Sequence, residues 1–360
     1  MVFSSVVMAI CEVNEARTLG RIAGKTMGWF MMTTTIALVL AGAIALVCFN
    51  MGLFHVEVEG LATAAGSTGS NPLLVILNIV PSNIGATFSV NNSVLAVVFI
   101  AVVVGLGINT LNLGKECALY RLCDETSKII VVFLNFVVKK FGPAAIFMLL
   151  SNTFATYGID YLKPAAVYVV LTVILLLVYL FIGYSLYIGL VVKQNPYIFM
   201  KKIFRVVVFG FSTSSSAATL PLNQDTTLGV DSQIASFVLP LGMTINMDGT
   251  AIMQVVATLF IAGCGAYEVT AFQLVIIMVL ALIASMGTPA APGAGAVILF
   301  TILSGMGFVN DQALIAYSLI LAINRPIEML VTSLNVTGDS VAAVAVAKSE
   351  GKLDVEAYNK

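Results

Sequence analysis

The sequence predicts an all-α polytopic membrane protein, arranged as inverted repeats with two re-entrant helical hairpins and discontinuous transmembrane helices. Three observations predict it. Hydrophobic residues fill 59% of the 360 positions and charged residues only 10%, with a mean hydropathy of +1.03. A soluble domain carries about 25% charged residues. Apolar runs recur at the length of about 20 residues that a helix needs to cross the bilayer. Two other apolar stretches are interrupted by Ser, Gly and Pro at a density that no helix continues through. These features exclude a soluble globular enzyme and a disordered chain. The net charge of −1 leaves no electrostatic footprint for nucleic acid.

The elements follow in chain order. Met1–Ile10 is apolar but reaches only about 15 Å as a helix, so the chain is expected to begin inside a span. Met27–Met51 is the first complete span. Gly60–Asn92 is mixed, with Gly, Ser and Asn throughout. Ser93–Leu111 is a second span, and Gly114–Lys128 is an aqueous loop or surface helix. Ile129–Tyr157 and Ala165–Val192 are two long spans. Gln233–Ala262 and Ala313–Leu334 follow, and the polar tail from Lys348 is expected in solvent. The basic residues cluster at Arg17–Lys25, Lys115–Lys128, Lys193–Arg205 and Lys348–Lys360, with Lys163 the main exception. Gly52–Asn92 has none. The positive-inside rule places these clusters, and the C-terminus, in the cytoplasm.

The interrupted stretches are Ile203–Leu222, broken at Ser212–Ser216 and Pro221, and Phe272–Gly305, broken at Ser285–Gly295. Arms this short suit hairpins that enter and leave on one side. Non-helical backbone at membrane depth is tolerated only inside protein or along a cavity. Hairpin followed by span occurs twice, from opposite sides by the charge pattern. That is the layout of an inverted repeat in a secondary transporter.

Polar residues inside the spans mark the site. Asp248 lies in Asn246-Met247-Asp248-Gly249-Thr250, and a carboxylate at the bilayer centre costs at least about 2.5 kcal/mol. Asn246 and Asp248 offer hard oxygens that suit a small hard cation. In the last span Asn324, Glu328, Thr332, Asn335 and Asp339 fall within an arc of about 80°. Asn335 and Asp339, four apart, can converge on one ion. Arg325 stands three residues from Glu328, and Pro326 kinks that end. The hydroxyls of Ser214, Ser215 and Ser216 form an anion cradle if a helix begins after them.

Ser-Ser-Ser-Ala-Ala-Thr-Leu-Pro (214–221), Asn-Met-Asp-Gly-Thr (246–250), Pro-Gly-Ala-Gly (292–295) and Asn-Val-Thr-Gly-Asp (335–339) carry a family pattern. In order and spacing they resemble the glutamate transporter homologue family, the sodium:dicarboxylate and amino-acid symporters, over essentially the whole chain. The resemblance implies a homotrimer in the lipid bilayer with an elevator mechanism, co-transporting Na+ with a small-molecule substrate. It implies a scaffold part in 1–128, whose span near 27–53 packs on the transport domain, then two long spans in 129–193. The transport core is 194–347, with hairpin 1 (203–230), a broken span (231–262), hairpin 2 (270–305) and a last span (311–340), before the tail 348–360. One sodium site takes Asn246, Asn335, Asp339 and the backbone of Gly242. A second takes the backbone of Thr244, Ser285, Met286 and Thr288. A third takes Thr33, Thr34, Asn246 and Asp248. Substrate meets the serine turn, Thr250, Glu328, Thr332 and Asn335, beneath a lid 285–295 that contains Ala291 and Gly295.

The chain departs from the family at four places. The family has one more complete span, and the rest of another, before the point matching Met1. Glu328 stands where the family has aspartate. Val331 and Ser214 stand where members that take acidic substrates place arginines, and Phe30 replaces a tyrosine of the third sodium site. These departures favour a neutral amino acid, with a dicarboxylate or acidic amino acid read by Arg325 as the alternative.

Other chemistries fit less well. An intramembrane aspartyl enzyme needs two carboxylates sharing a proton, and the glycine-aspartate pattern of such proteases is missing around Asp339. The serine run has no histidine to serve it, since the only one, His55, lies in a polar stretch beside Glu57. The five cysteines form no close pair. No catalytic residue is expected. A passive ion channel is the third reading, and two hairpins favour alternating access over it.

Overall fold

The computed structural model describes residues 21–55, 83–89, 94–111, 116–140, 162–226, 228–286 and 292–359, with isolated positions between. Most of the first short span, the mixed region and the end of the 129–157 span lie outside the described residues. The described residues are helical, apart from turns and one isolated bridge between Val230 and Leu353. The early helices are α1 (Arg21–Asn50), α2 (Ile84–Ser89), α3 (Val94–Thr110) and α4 (Ala118–Lys140). A long helix follows as α5 (Leu162–Val178), a π-helical turn (Tyr179–Gly183), α6 (Tyr184–Tyr187) and a second π-helical turn (Ile188–Val192). Next come α7 (Pro196–Thr213), α8 (Ser216–Asp225), α9 (Ser232–Ile245) and α10 (Asp248–Cys264). The chain closes with α11 (Ala271–Met286), α12 (Ala294–Met306), α13 (Asp311–Ile323), α14 (Arg325–Ser349) and α15 (Val355–Asn359).

α10 is the axis of the fold. All of its residues are buried, and α1, α5, α11 and α14 pack around it. α7 and α9 pack against α14. The outer surface inverts the soluble pattern: Ile36, Val39 and Val47 of α1, Ile174 of α5, Phe204 of α7 and Phe272 of α11 are exposed. Apolar residues outside and carboxylates inside suit a hydrocarbon solvent. Four segments are long and apolar enough to cross a membrane: Gly24–Asn50, Lys163–Val192, Ser232–Cys264 and Arg325–Ser349.

The structure specifies three boundaries. The stretch expected to span at 311–340 is divided at Asn324, two residues before Pro326, which has no N–H to continue the helix ladder back to Ala322. Of the two alternatives for the segment before residue 129, loop or surface helix, the structure has a helix, which starts at Ala118 and runs on without a break into the next span as α4. The tail is exposed at most positions, as expected, but it is anchored near its end. Tyr358 is fully buried and donates to the Asn195 carbonyl at 2.9 Å, and Lys202 Nζ donates to the Ala357 carbonyl at 2.6 Å. Lys25 Nζ meets Glu350 at 2.5 Å, and Lys352 lies 3.9 Å from Asp231. The starts of α1, α7 and α9 and the end of α14 therefore gather at one basic end. The opposite end, around Phe54, Tyr267 and Asn310, is built from aromatic and amide contacts.

Close helix approach there depends on Gly263. A Cβ on it would lie 2.7 Å from Phe54 Cβ and 2.9 Å from the Phe54 carbonyl oxygen. Overpacking of this kind costs about 1–3 kcal/mol. Gly263→Ala should therefore lower the thermal unfolding midpoint of the detergent-purified protein. Gly28→Ala, where nothing lies within 4 Å, should hold or raise it.

Candidate functional site

The site begins where the α9–α10 helix stops and restarts. Asn246 and Met247 leave helical geometry (φ/ψ −90/86 and −120/55), which turns Asn246 and Asp248 into the protein interior. Asp248 is fully buried, and three hydroxyls meet it. Thr34 Oγ1 donates to Oδ1 at 2.5 Å, Thr33 Oγ1 lies 3.4 Å from the same oxygen, and the Tyr184 hydroxyl donates to Oδ2 at 2.8 Å. Asn246 bridges to the second carboxylate. Its Oδ1 accepts from Thr33 at 3.3 Å and its Nδ2 donates to Asp339 Oδ1 at 3.1 Å. Asp339 is 2% exposed, and a Cβ on Gly242 would collide with its Oδ1. Only glycine leaves the α9 backbone open to that carboxylate.

Asn335 links this cluster to a pocket. Its Oδ1 accepts from the Gly249 N–H at 2.8 Å, and its Nδ2 donates to Thr250 Oγ1 at 3.1 Å. The pocket is small, with a cavity volume of about 30 Å³, enough for about two water molecules. Its polar lining comes from Ser214, Ser216, Thr250, Thr288, Glu328, Thr332 and Asn335, with Met247, Met253 and Val331 as apolar walls.

Two helix breaks meet at this pocket. At the first, Ser214 adopts left-handed backbone (φ 49) and its buried Oγ has no partner among the described residues. Ser215 caps α8 by accepting from the Ala218 N–H at 3.3 Å. At the second, α11 ends and α12 begins after Gly293 (φ 84). Ser215 Oγ donates to the Ala290 carbonyl at 3.1 Å, so the two breaks touch. Glu328 faces the second break. Its Oε1 accepts from the Ala296 N–H at 3.4 Å, and Arg325 lies 3.7 Å from Oε2.

The expected residues are thus largely brought together. Thr33, Thr34, Asn246, Asp248 and Asp339 form one hydrogen-bonded cluster. Ser214, Ser216, Thr250, Gly295, Glu328, Thr332 and Asn335 line the pocket. Thr244, Ser285 and Thr288 turn their hydroxyls to carbonyls of their own helices at 2.9 Å each. Met286 packs beside the cluster of Phe30, Leu241 and Ile245. Ala291 lies outside the described residues.

Sequence reasoning missed several contributors. Tyr179 donates to the Thr33 carbonyl at 2.7 Å, and Tyr184 reaches Asp248. Tyr168 donates to Asn324 at 2.7 Å, and Asn324 reaches the sulfur of Met253 in the pocket wall. A tyrosine in an apolar run carries little polarity signal, so only its pairing reveals it. Ser333, Thr337 and Ser340 form a second polar face of α14, where Ser340 and Asn223 pair at 2.6 Å.

The donor set is two carboxylates among neutral oxygens. Among the described residues no group of three His, Cys, Asp or Glu side chains could hold a metal. Hard oxygen donors of low total charge fit a small monovalent cation better than a transition metal. Asp248 and Asp339 do not share a proton-bridging contact, because Asn246 stands between them. That removes the geometry of an aspartyl dyad.

Comparison with known proteins identifies the relatives of the chain. A family model described as the sodium:dicarboxylate symporter family matches residues 1–349. The chain is 28% identical to the proton/glutamate-aspartate symporter of Escherichia coli (strain K12), over 98% of this chain and 82% of that one. It is 28% identical to the proton/sodium-glutamate symport protein of Bacillus caldotenax, over 99% and 85% of the two chains. It is 24% identical to the C4-dicarboxylate transport protein of Bacillus subtilis (strain 168), over 98% and 84%. With that match covering nearly its whole length, the chain belongs to the sodium:dicarboxylate symporter family, a family of membrane transporters and not of enzymes.

Proposed function

We propose that this protein is a sodium-coupled secondary active symporter of the plasma membrane, carrying a small neutral amino acid. The observation that carries the reading is the meeting of the two helix breaks, Ser215 against Ala290, beside two buried carboxylates surrounded by neutral oxygens. α7–α8 and α11–α12 are the two re-entrant hairpins of an inverted repeat. Three of their arms, of 10, 16 and 13 residues, fall short of the roughly 20 needed to cross, and the fourth, of 18, carries Lys201, Lys202 and Arg205. Their bases lie at opposite ends of the bundle, which supports entry from opposite faces. The basic end is cytoplasmic, with the C-terminus.

Sodium binds as cargo in this reading. Thr33, Thr34, Asn246 and Asp248 hold one ion. Asn246, Asn335, Asp339 and the Gly242 backbone hold a second, and the backbone of Thr244, Ser285, Met286 and Thr288 takes a third. Coupling runs through Asn335, which bonds both the α10 start and Thr250 in the pocket wall. A cation that orders Asn335 also orders the substrate contacts. The serine turn and the α8 start hold the α-carboxylate, and Glu328 receives the amino group. Segment 285–295, with Ala291 and Gly295, closes over the ligand as a lid. Residues 194–347 move as the transport core of a homotrimer against a scaffold from the first 128 residues.

Substrate choice follows from Val331. It is buried in the pocket wall, where an apolar side chain cannot pair with a second substrate carboxylate, and burying that charge unpaired is costly. A second reading has its own support: Arg325 lies 3.7 Å from Glu328 at the pocket edge, and the named relatives are glutamate-aspartate and C4-dicarboxylate carriers. A modest swing would bring that guanidinium to an acidic substrate.

Two outcomes are expected in proteoliposomes. Asp339→Asn removes a ligand charge and should raise the sodium half-saturation of uptake by about tenfold or more, equivalent to about 1.4 kcal/mol. Unchanged sodium dependence would remove the cation assignment. In competition assays alanine, serine and threonine should displace labelled substrate better than aspartate, and Val331→Arg should reverse the order. Wild-type preference for aspartate that disappears in Arg325→Ala would replace the neutral reading with the acidic one.

A further inference from the structure

Tyr179 and Tyr184 stand five positions apart on the long helix that begins at Leu162. On a regular α-helix five steps leave two side chains about 140° apart. Here the intervening turn is π-helical, and the Tyr184 N–H donates to the Tyr179 carbonyl. An i→i+5 turn stacks those two positions on one face, and their rings meet edge-on at 5.1 Å. Both hydroxyls consequently reach the same cluster, Tyr179 at the Thr33 carbonyl and Tyr184 at Asp248 Oδ2. A notch receives the second phenol. A Cβ on Gly338 would collide with the Tyr184 hydroxyl and lie 2.9 Å from Asn246 Nδ2. The phenol therefore sits between the surroundings of Asp248 and those of Asp339, and its hydrogen bond goes to Asp248 and not to a pocket-lining residue named above.

We propose that Tyr184 is a positioning residue of the cation site, holding Asp248 Oδ2 so that Oδ1 stays turned toward Thr33 and Thr34, and that it sets sodium affinity without contacting substrate. The proposal rests on the reading of Asp248 as a cation ligand. Its physical basis is the rotation of a carboxylate about its last bond. Thr33 and Thr34 both address Oδ1, so they leave the group free to pivot unless the other oxygen is held. Hydrogen-bond partners behind ligating carboxylates orient them, and losing one costs affinity. The π turn is what carries the phenol there, and such turns gather at functional sites.

Trp29, the only tryptophan, supplies a readout independent of transport. Its ring stands edge-on to Tyr187 at 5.3 Å, one helical turn along from Tyr184, and Trp29 precedes Thr33 by four residues on α1. Sodium titrations of intrinsic fluorescence on the purified full chain, with choline as the control cation, are compared with sodium-dependent uptake. Tyr184→Phe should raise the sodium half-saturation about tenfold in both readouts. The substrate half-saturation at saturating sodium should stay within about twofold, since only the ion's binding is changed. Gly338→Ala, which displaces the phenol while keeping it, should produce the same shift, and the double variant should be no weaker than the weaker single one. An unchanged sodium half-saturation in Tyr184→Phe overturns the proposal. So does an equal loss of sodium and substrate affinity, which marks a merely structural role. Should Tyr184→Phe fail to fold, an unchanged value in Gly338→Ala overturns it instead. Asp248→Asn separates the two levels. If it leaves the sodium response intact, the cation reading itself fails. If it shifts the response while Tyr184→Phe does not, only the tyrosine inference fails.

Discussion

A buried carboxylate in a medium without water is the constraint on which this architecture depends. Asp248 and Asp339 are almost completely removed from solvent, and an isolated charge there costs several kcal/mol. A continuous helix has no spare donors to offer, because its N–H groups are committed to its own carbonyls. The compensation has to come from neighbours. Thr33 and Thr34 draw α1 onto α10, Asn246 draws α9 and α10 against α14, and Tyr184 draws in the long helix. α10 becomes the most enclosed helix because helices converge on the acid at its start. Glycine stands where backbone or phenol must approach an oxygen: Gly242 opposite Asp339, Gly249 against the Val331 carbonyl, and Gly338 beneath Tyr184.

The pocket obeys a related constraint. A helix that stops inside a protein leaves unpaired N–H or C=O groups, and here two pairs of such ends converge. α7 and α11 bring carbonyl ends, while α8 and α12 bring amide ends. Partial charges of both signs therefore face one small volume. Glu328 already uses the Ala296 amide at the α12 start. The apolar walls, Met247, Met253 and Val331, exclude water and strengthen every polar contact that remains.

Much of this was legible in the sequence, and the remainder was not for identifiable reasons. The spans follow from hydropathy, since 20 apolar residues have few alternatives. The break at Ser285–Gly295 follows from the helix penalty of Gly and Pro, that at Ser212–Ser216 from a hydroxyl run whose side chains compete for backbone hydrogen bonds, with Pro221 carried inside α8, and the stripe Glu328, Thr332, Asn335, Asp339 follows from helical periodicity. The tyrosine contacts escaped because they depend on a π turn, which leaves no mark in a 3.6-residue pattern. The division at Asn324 was signalled by Pro326 but hidden because the apolar run before it and the striped helix after it read together as one span. Tyr358 shows the same limit from the other direction. One aromatic in a polar tail looks solvated until its partner, Asn195, 163 positions away, is known.

The direction of the hydrogen bonds along the chain has a consequence for biosynthesis. Among the described residues, every side-chain or backbone donor found on an acid of the site precedes that acid in sequence. Thr33, Thr34 and Tyr184 come before Asp248, Asn246 before Asp339, and Ala296 before Glu328. A ribosome releases the chain from the N-terminus. Each carboxylate thus leaves it when the groups that neutralise its burial have already been made. The costliest residues are delivered last, into a nest whose donors were threaded ahead of them, and the acid never has to wait in the bilayer for a partner still unsynthesised.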